Sequence, residues 1–212
     1  MKPTIACRPN GPYVLTNPAA PGAPANLHRP GGEPLASTPA VFLCRCGGSK
    51  NKPFCDGTHK TNGFSDANEA DPAKNRRKTY VGKEITVFDN RAIWAHAGFC
   101  TDGLKEVFRE EGRPWIDPDA AAVERVIATI EKCPSGALSY AIKAVEGKRA
   151  ERPPEVLVSN NGPYDVSGIE LTGVTLGDGA PVDHYTLCRC GASKNKPFCD
   201  GTHWTIEFKD PA

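Results

Sequence analysis

The chain has 212 residues, with 26 Lys+Arg against 25 Asp+Glu and a formal charge of +1. So balanced a surface offers no general attraction to nucleic acid or an anionic membrane, and neither is expected as a partner. No apolar run approaches the ~18 residues of a membrane span, and the opening Met1-Lys2-Pro3-Thr4-Ile5-Ala6 lacks the apolar stretch of a secretory leader. The expected setting is the reducing cytoplasm, where clustered cysteines bind metal more often than one another.

Taken in order, the chain says much of itself twice. Asn10-Gly11-Pro12-Tyr13 returns as Asn161-Gly162-Pro163-Tyr164. From Gly11 to Cys44 is 33 positions and from Gly162 to Cys188 is 26, so the first copy carries seven extra residues, placed in the Pro-rich stretch 17–34. Each copy reads as a short strand, a Gly-Pro turn, further strands, and an entry strand at Val41-Phe42-Leu43 or Tyr185-Thr186-Leu187. A module this small, with few large apolar residues, cannot bury much core alone. Two copies packed together can. The expectation is an intramolecular pseudo-dimer, a monomer with an internal pseudo-twofold.

Residues 44–59 and 188–203 agree at fifteen of sixteen positions, Gly48 becoming Ala192. Each copy places three cysteines and a histidine as C-x-C-x8-C-x3-H: Cys44, Cys46, Cys55 and His59, then Cys188, Cys190, Cys199 and His203. Thiolates select zinc, copper(I) or iron–sulfur clusters, and imidazole suits zinc or iron. Structural zinc sites commonly separate paired cysteines by two to four residues, whereas only Arg45 or Arg189 intervenes here. Both cysteines of such a pair reach one metal only if the backbone bends, which Gly47 and Gly191 allow. Four ligands also divide as two per iron. Spacing alone does not separate zinc from a cluster. Asp56 and Asp200 are expected to cap short helices that bring Cys55 to His59 and Cys199 to His203.

The repeated string resembles the CDGSH iron–sulfur family, whose motif reads C-x-C-x2-(S/T)-x3-P-x-C-D-G-(S/A/T)-H. Its further fixed positions are Ser49, Pro53 and Asp56, and Ser193, Pro197 and Asp200, which join the candidate cofactor-binding set. The resemblance implies one [2Fe–2S] cluster per motif, two in all. Cys44 and Cys46 would hold an inner iron, and Cys55 and His59 an outer, more exposed one. Cys188, Cys190, Cys199 and His203 would repeat the arrangement. It also implies pairing of the halves, since single-motif members are homodimers. Trp204 stands where Lys60 follows the first motif, so the two sites are expected to differ in exposure.

The middle of the chain is different. Residues 83–88 alternate as a strand. Asp117-Pro118 offers a cap and first-turn proline for a helix continuing through Val123, Val126, Ile127 and Ile130 to about Lys132, and a last strand is expected near residues 139–142. This segment looks like the divergent single-cluster [4Fe–4S] ferredoxin domain, but Trp94 stands where a ligand cysteine belongs. Cys100, Cys133 and His96 fall short of four ligands. A third cluster at Cys100/Cys133 is not expected, and Cys7 is expected to be a core thiol. The predicted organisation is α+β: a first module at 1–70, a ferredoxin-like domain without a cluster inserted at 71–152, and a second module at 153–212.

The expected function is electron transfer, redox sensing or cluster transfer, with a redox partner or an apo iron–sulfur acceptor protein. A zinc-binding interaction module is the non-redox alternative. No nucleophile–base constellation, phosphate loop or dinucleotide fingerprint points to an enzyme.

Overall fold

The computed structural model describes residues 2–16, 26–32, 34–36, 38–182 and 184–210. Residues 17–25, half of the Pro-rich stretch 17–34 in which the seven extra residues are expected, lie outside the described residues. The fold is α+β, with small sheets and few, short helices. No helix among the described residues is long and apolar enough to cross a membrane.

The first half supplies β1 (Thr4–Cys7), β2 (Tyr13–Thr16), β3 (Asn26–His28), β4 (Pro34–Ala36) and β5 (Ala40–Leu43). The middle segment supplies β6 (Lys78–Val81), β7 (Ile85–Asp89), β8 (Leu138–Ile142) and β9 (Val145–Glu146), with α1 (Phe99–Gly103) and α2 (Val123–Glu131). The second half follows with β10 (Glu155–Val158), β11 (Tyr164–Ser167), β12 (Glu170–Thr172), β13 (His184–Leu187) and α3 (Thr202–Thr205).

Neither half keeps its strands to itself. One sheet runs β12-β1-β2-β5 and another β13-β11-β10-β3-β4. The second half's β12 pairs parallel with β1 (Ile5 opposite Leu171), and the first half's β3 pairs parallel with β10 (Leu27 opposite Val156). The antiparallel neighbours are closed by matching turns, in which Gly11 donates to the Arg8 carbonyl and Gly162 to the Ser159 carbonyl. Each exchange buries apolar side chains that one half could not cover alone: Ile5, Leu15, Leu27, Val156, Val158, Val166 and Leu171 share one core.

The middle segment forms its own sheet, β6-β7-β8-β9, in which β7 alternates so that Ile85 and Val87 are buried against Val126 and Ile130 of α2. The expected helix start is corrected. Asp117 caps only the single turn Pro118–Ala120, the chain extends at Ala121 and Ala122, and α2 begins at Val123. The short turn keeps Asp119 free to accept the Lys83 amide (2.8 Å), which joins it to the β6–β7 turn.

Candidate metal centres

Each sixteen-residue motif folds as a loop closed on its entry strand. Leu43 bridges Phe54, and Leu187 bridges Phe198. The Cys44 amide donates to the Pro53 carbonyl (2.7 Å) and the Cys55 amide to the Phe42 carbonyl (2.8 Å). In the second motif Cys188 donates to Pro197 (2.8 Å) and Cys199 to Thr186 (3.0 Å). These bonds set both ends of the loop side by side, so residues nine or more positions apart in sequence face one site.

Within each loop the candidate ligands meet in pairs. The Sγ atoms of Cys44 and Cys46 lie 3.9 Å apart, and Cys55 Sγ lies 3.4 Å from His59 Nδ1. The second copy repeats this, with 3.8 Å between Cys188 and Cys190 and 3.4 Å from Cys199 to His203 Nδ1. Among the described residues no group of three or more His, Cys, Asp or Glu side chains is gathered to hold one metal ion. Burial pushes the Cys44 thiol up to about 11 and the Cys199 thiol well above its ordinary value. Ionised sulfur in such places needs a cation beside it, as metal ligation supplies.

The other motif residues build the loop. Ser49 Oγ donates to the Phe54 carbonyl (2.7 Å) and accepts the Asn51 amide (3.0 Å), while Ser193 does the same for Phe198 and Asn195 (2.7 and 3.1 Å). Lys52 and Lys196 each return an ammonium to the serine carbonyl (2.6 Å), so they tie the loop as well as carrying charge. Pro53 and Pro197 follow cis peptide bonds.

The expected capping role of the two aspartates is corrected. Gly57 and Gly201 occupy the N-cap positions, at φ of 90° and 84°, where a left-handed backbone favours glycine. One residue earlier, Asp56 accepts the Thr58 amide (3.0 Å) and the Lys50 amide (2.8 Å), and Asp200 accepts those of Thr202 and Lys194 (3.0 and 2.9 Å). Bonds from Thr58 and the Lys50 amide hold Asp56 well below the usual carboxylate range. Each carboxylate thus fastens the loop segment after the inner cysteines to the turn carrying the histidine.

Residues that the motif reading did not single out complete the surroundings. Arg45 and Arg189, between the paired cysteines, are buried. Arg189 donates to the Gly162 carbonyl (2.8 Å) and the Ser159 carbonyl (2.6 Å) and pairs with buried Asp210, which also receives Arg29 (2.9 Å). Arg45 pairs with the less enclosed Asp66 (3.1 Å). Tyr13 and Tyr164, both wholly buried, reach across to the loop of the opposite half. Their signal was the duplicated Asn-Gly-Pro-Tyr string, which marks the tyrosine as part of the repeat without saying what it touches.

The two sites differ in their cover. Cys55 and His59 are half-buried, while Cys199 and His203 are 3% and 6% exposed. The expected difference in exposure is present, and Trp204, itself 67% exposed, lays its ring 5.5 Å from that of His203. Further cover comes from elsewhere in the chain. Asn195 donates to the Ala92 carbonyl (2.7 Å), the Glu69 amide to the Lys194 carbonyl (2.8 Å), and His96 packs on Gly201. His96 is stacked on Trp94 at 3.9 Å. Burial, with His96 adding to it, pulls His203 below its ordinary pKa. Nothing comes within 4 Å of the equivalent position on Gly57.

Cys100 and Cys133 are buried on one small cavity with Trp94 and Ser135, and Cys133 Sγ lies 3.6 Å from Ser135 Oγ. Burial raises Cys100 to about 11. Cys7 lies half-buried on β1, packed against the core, and lines one cavity with Arg45, Asp66 and Phe198.

The family described as "Iron-binding zinc finger CDGSH type" matches residues 10–60 and 161–204. A second family, described as "Divergent 4Fe-4S mono-cluster", matches residues 80–143. An Escherichia coli K12 protein named "Uncharacterized protein YjdI" is 43% identical over 63 residues, which are 30% of this chain and 83% of that protein. The protein of the same name in Escherichia coli O157:H7 matches over the same shares. No solved structure matches.

Proposed function

The chain belongs to the CDGSH iron-binding family and is an iron–sulfur protein, and from that premise we propose that it carries two [2Fe–2S] clusters, each on three cysteines and one histidine. The carrying observation is the division of each ligand set into a Cys/Cys pair at 3.8–3.9 Å and a Cys/His pair at 3.4 Å. Two pairs suit two irons, whereas a mononuclear zinc site draws four ligands to one point. The donor set fits: three thiolates and one imidazole, on a loop closed by its own hydrogen bonds. Cys44, Cys46, Cys188 and Cys190 take the inner irons; Cys55, His59, Cys199 and His203 take the outer ones.

Bound there, a [2Fe–2S] cluster supplies one-electron redox chemistry. The chain's own residues supply the rest. Ser49, Asp56, Ser193 and Asp200 fix the ligand loops. Buried Arg45 and Arg189, neutralised by Asp66 and Asp210, brace the backbone between the paired cysteines. The half-exposed Cys55/His59 edge is the contact side for a redox partner or an apo iron–sulfur acceptor. The covered Cys199/His203 edge retains its cluster.

The same reading makes the molecule an intramolecular pseudo-dimer, supported by the reciprocal exchange of β3 and β12. The working divisions are 1–70, 71–152 and 153–212, the middle one a ferredoxin-like domain that holds no third cluster and covers the second site. The protein acts as an electron carrier, redox sensor or cluster donor in the cytoplasm, not as an enzyme.

Iron and acid-labile sulfide analysis, with electron paramagnetic resonance of the dithionite-reduced protein, tests this. About two irons and two sulfides per motif are expected. Zinc without sulfide would end the proposal, and more than two centres would end its account of the middle segment. Following labelled iron into an apo-ferredoxin separates a donor from a carrier.

A further inference from the structure

We propose that Tyr13 and Tyr164 are crossed positioning residues: each holds the loop that carries the other half's inner cysteine pair, so the two sites respond to one another. The inference rests on the two-cluster reading above and goes beyond it, since that reading allows two independent centres.

Tyr13 Oη donates to the Cys188 carbonyl (2.9 Å) and the Pro197 carbonyl (3.0 Å). Tyr164 Oη donates to the Cys44 carbonyl (2.9 Å) and the Pro53 carbonyl (3.0 Å). In each case the phenol grips both ends of the opposite ligand loop, at the carbonyl of its first cysteine and at the proline that precedes its outer pair. The proline carbonyl already accepts the amide of that same cysteine. A single hydroxyl therefore closes the ring of contacts that sets the inner pair against the outer pair. Each phenol has one proton, which it shares between its two carbonyls.

The crossing is also a path between the sites. The two rings meet edge-on, with centroids 6.0 Å apart and planes at 89°. Behind them the loops touch directly: a side chain on Gly47 would collide with the Cys190 carbonyl, and one on Gly191 with the Cys46 carbonyl. Close packing leaves no slack to absorb a shift on one side. A shift of the carbonyls in one loop would therefore be felt by the tyrosine that holds them, which belongs to the other half's β2 or β11. The exchanged strands make this geometry possible, because they hold each tyrosine's strand against the partner's core.

The test separates the sites by marking one of them. His59→Cys gives the first site an all-cysteine ligand set whose resonance and absorption differ from those of the second. In that background Tyr13→Phe is expected to speed iron loss to a chelator from the second site at least about fivefold, leaving the first within about twofold. Tyr164→Phe is expected to do the reverse. An effect confined to the tyrosine's own half, or equal at both sites, overturns the proposal. A second measurement needs no iron: the carbonyl carbon shift of Cys188 should move with Tyr13→Phe and that of Cys44 with Tyr164→Phe. Where Phe prevents folding, 3-fluorotyrosine keeps ring and donor, and the same crossed shifts are the readout. Unmoved carbonyls would overturn the crossing itself. A parent protein without iron and sulfide would sink the cluster reading instead, with the carbonyl experiment still able to decide the crossing.

Discussion

The two metal loops share fifteen of sixteen residues, yet one is half open and the other is covered. Asn51 is exposed and Asn195 is 3% exposed; Phe42 is 49% exposed and Thr186, at the equivalent strand position, is 1%. An apolar residue lies outside in one half and a polar one inside in the other, the opposite of what side-chain chemistry alone would choose. The middle segment contributes, since the Cys133 carbonyl meets His184 of β13 and the Ala92 carbonyl accepts Asn195 of the second loop. A motif fixes which atoms can bind a metal, and the surroundings fix who else can reach them.

The largest expected difference between the halves lies under the loops. Asp210→Ala leaves Arg189 buried without its carboxylate and should cost about 3–5 kcal/mol in urea unfolding. Asp66→Ala removes a carboxylate that is 28% exposed, so water can take its place on Arg45, and the cost should be about 1–2 kcal/mol. Equal costs would break the claim that the second half is the more enclosed.

Gly47→Ala and Gly191→Ala test where the halves are alike. Both positions have positive φ, 74° and 80°, and both face a carbonyl of the opposite loop. Each change should cost about 2–3 kcal/mol, and the two should agree within about 1. A large inequality would show that the twofold fails at its centre.

The two strands that carry the tyrosines offer the next contrast, Val14 in β2 against Asp165 in β11. Burial raises Asp165 from 3.8 to about 6. A raised carboxyl favours the fold while protonated, so this contribution is present below about pH 4 and lost as pH rises through about 6. Asp165→Asn is therefore expected to be about 2 kcal/mol more stable than the parent at pH 7.5, with the gap closing towards pH 4. A gap that widens in acid would reverse the assignment.

The smallest effect concerns access. Chemical modification of His59, and acid loss of its proposed cluster, should run about tenfold faster than at His203, and His96→Ala should bring the two rates together. Rates already equal in the parent would mean that the middle segment does not shield the second site.

Much of the site was legible because it is local. Cys44, Cys46, Cys55 and His59 lie within one loop, and the strand spacing and turn chemistry that shape it are written in those sixteen residues. The entry strands, β7, β8 and the apolar stripe of α2 were likewise readable from periodicity. Local rules failed where two close solutions competed. Asp56 and Asp200 were expected as caps, but the following glycines adopt the left-handed cap and free the carboxylates to hold Lys50 and Lys194. Asp117 caps a turn instead of the helix because the chain straightens at Ala121 before α2 begins.

By itself, the sequence determined the candidate donor atoms, their number and their duplication, since those depend on residue type and on separations of a few positions. The tertiary structure alone decided that β3 and β12 are exchanged, that Tyr13 and Tyr164 serve each other's loops, and that His96 shuts one site. Those outcomes rest on contacts between residues more than a hundred positions apart, where the burial of shared apolar surface, not local preference, selects the neighbour.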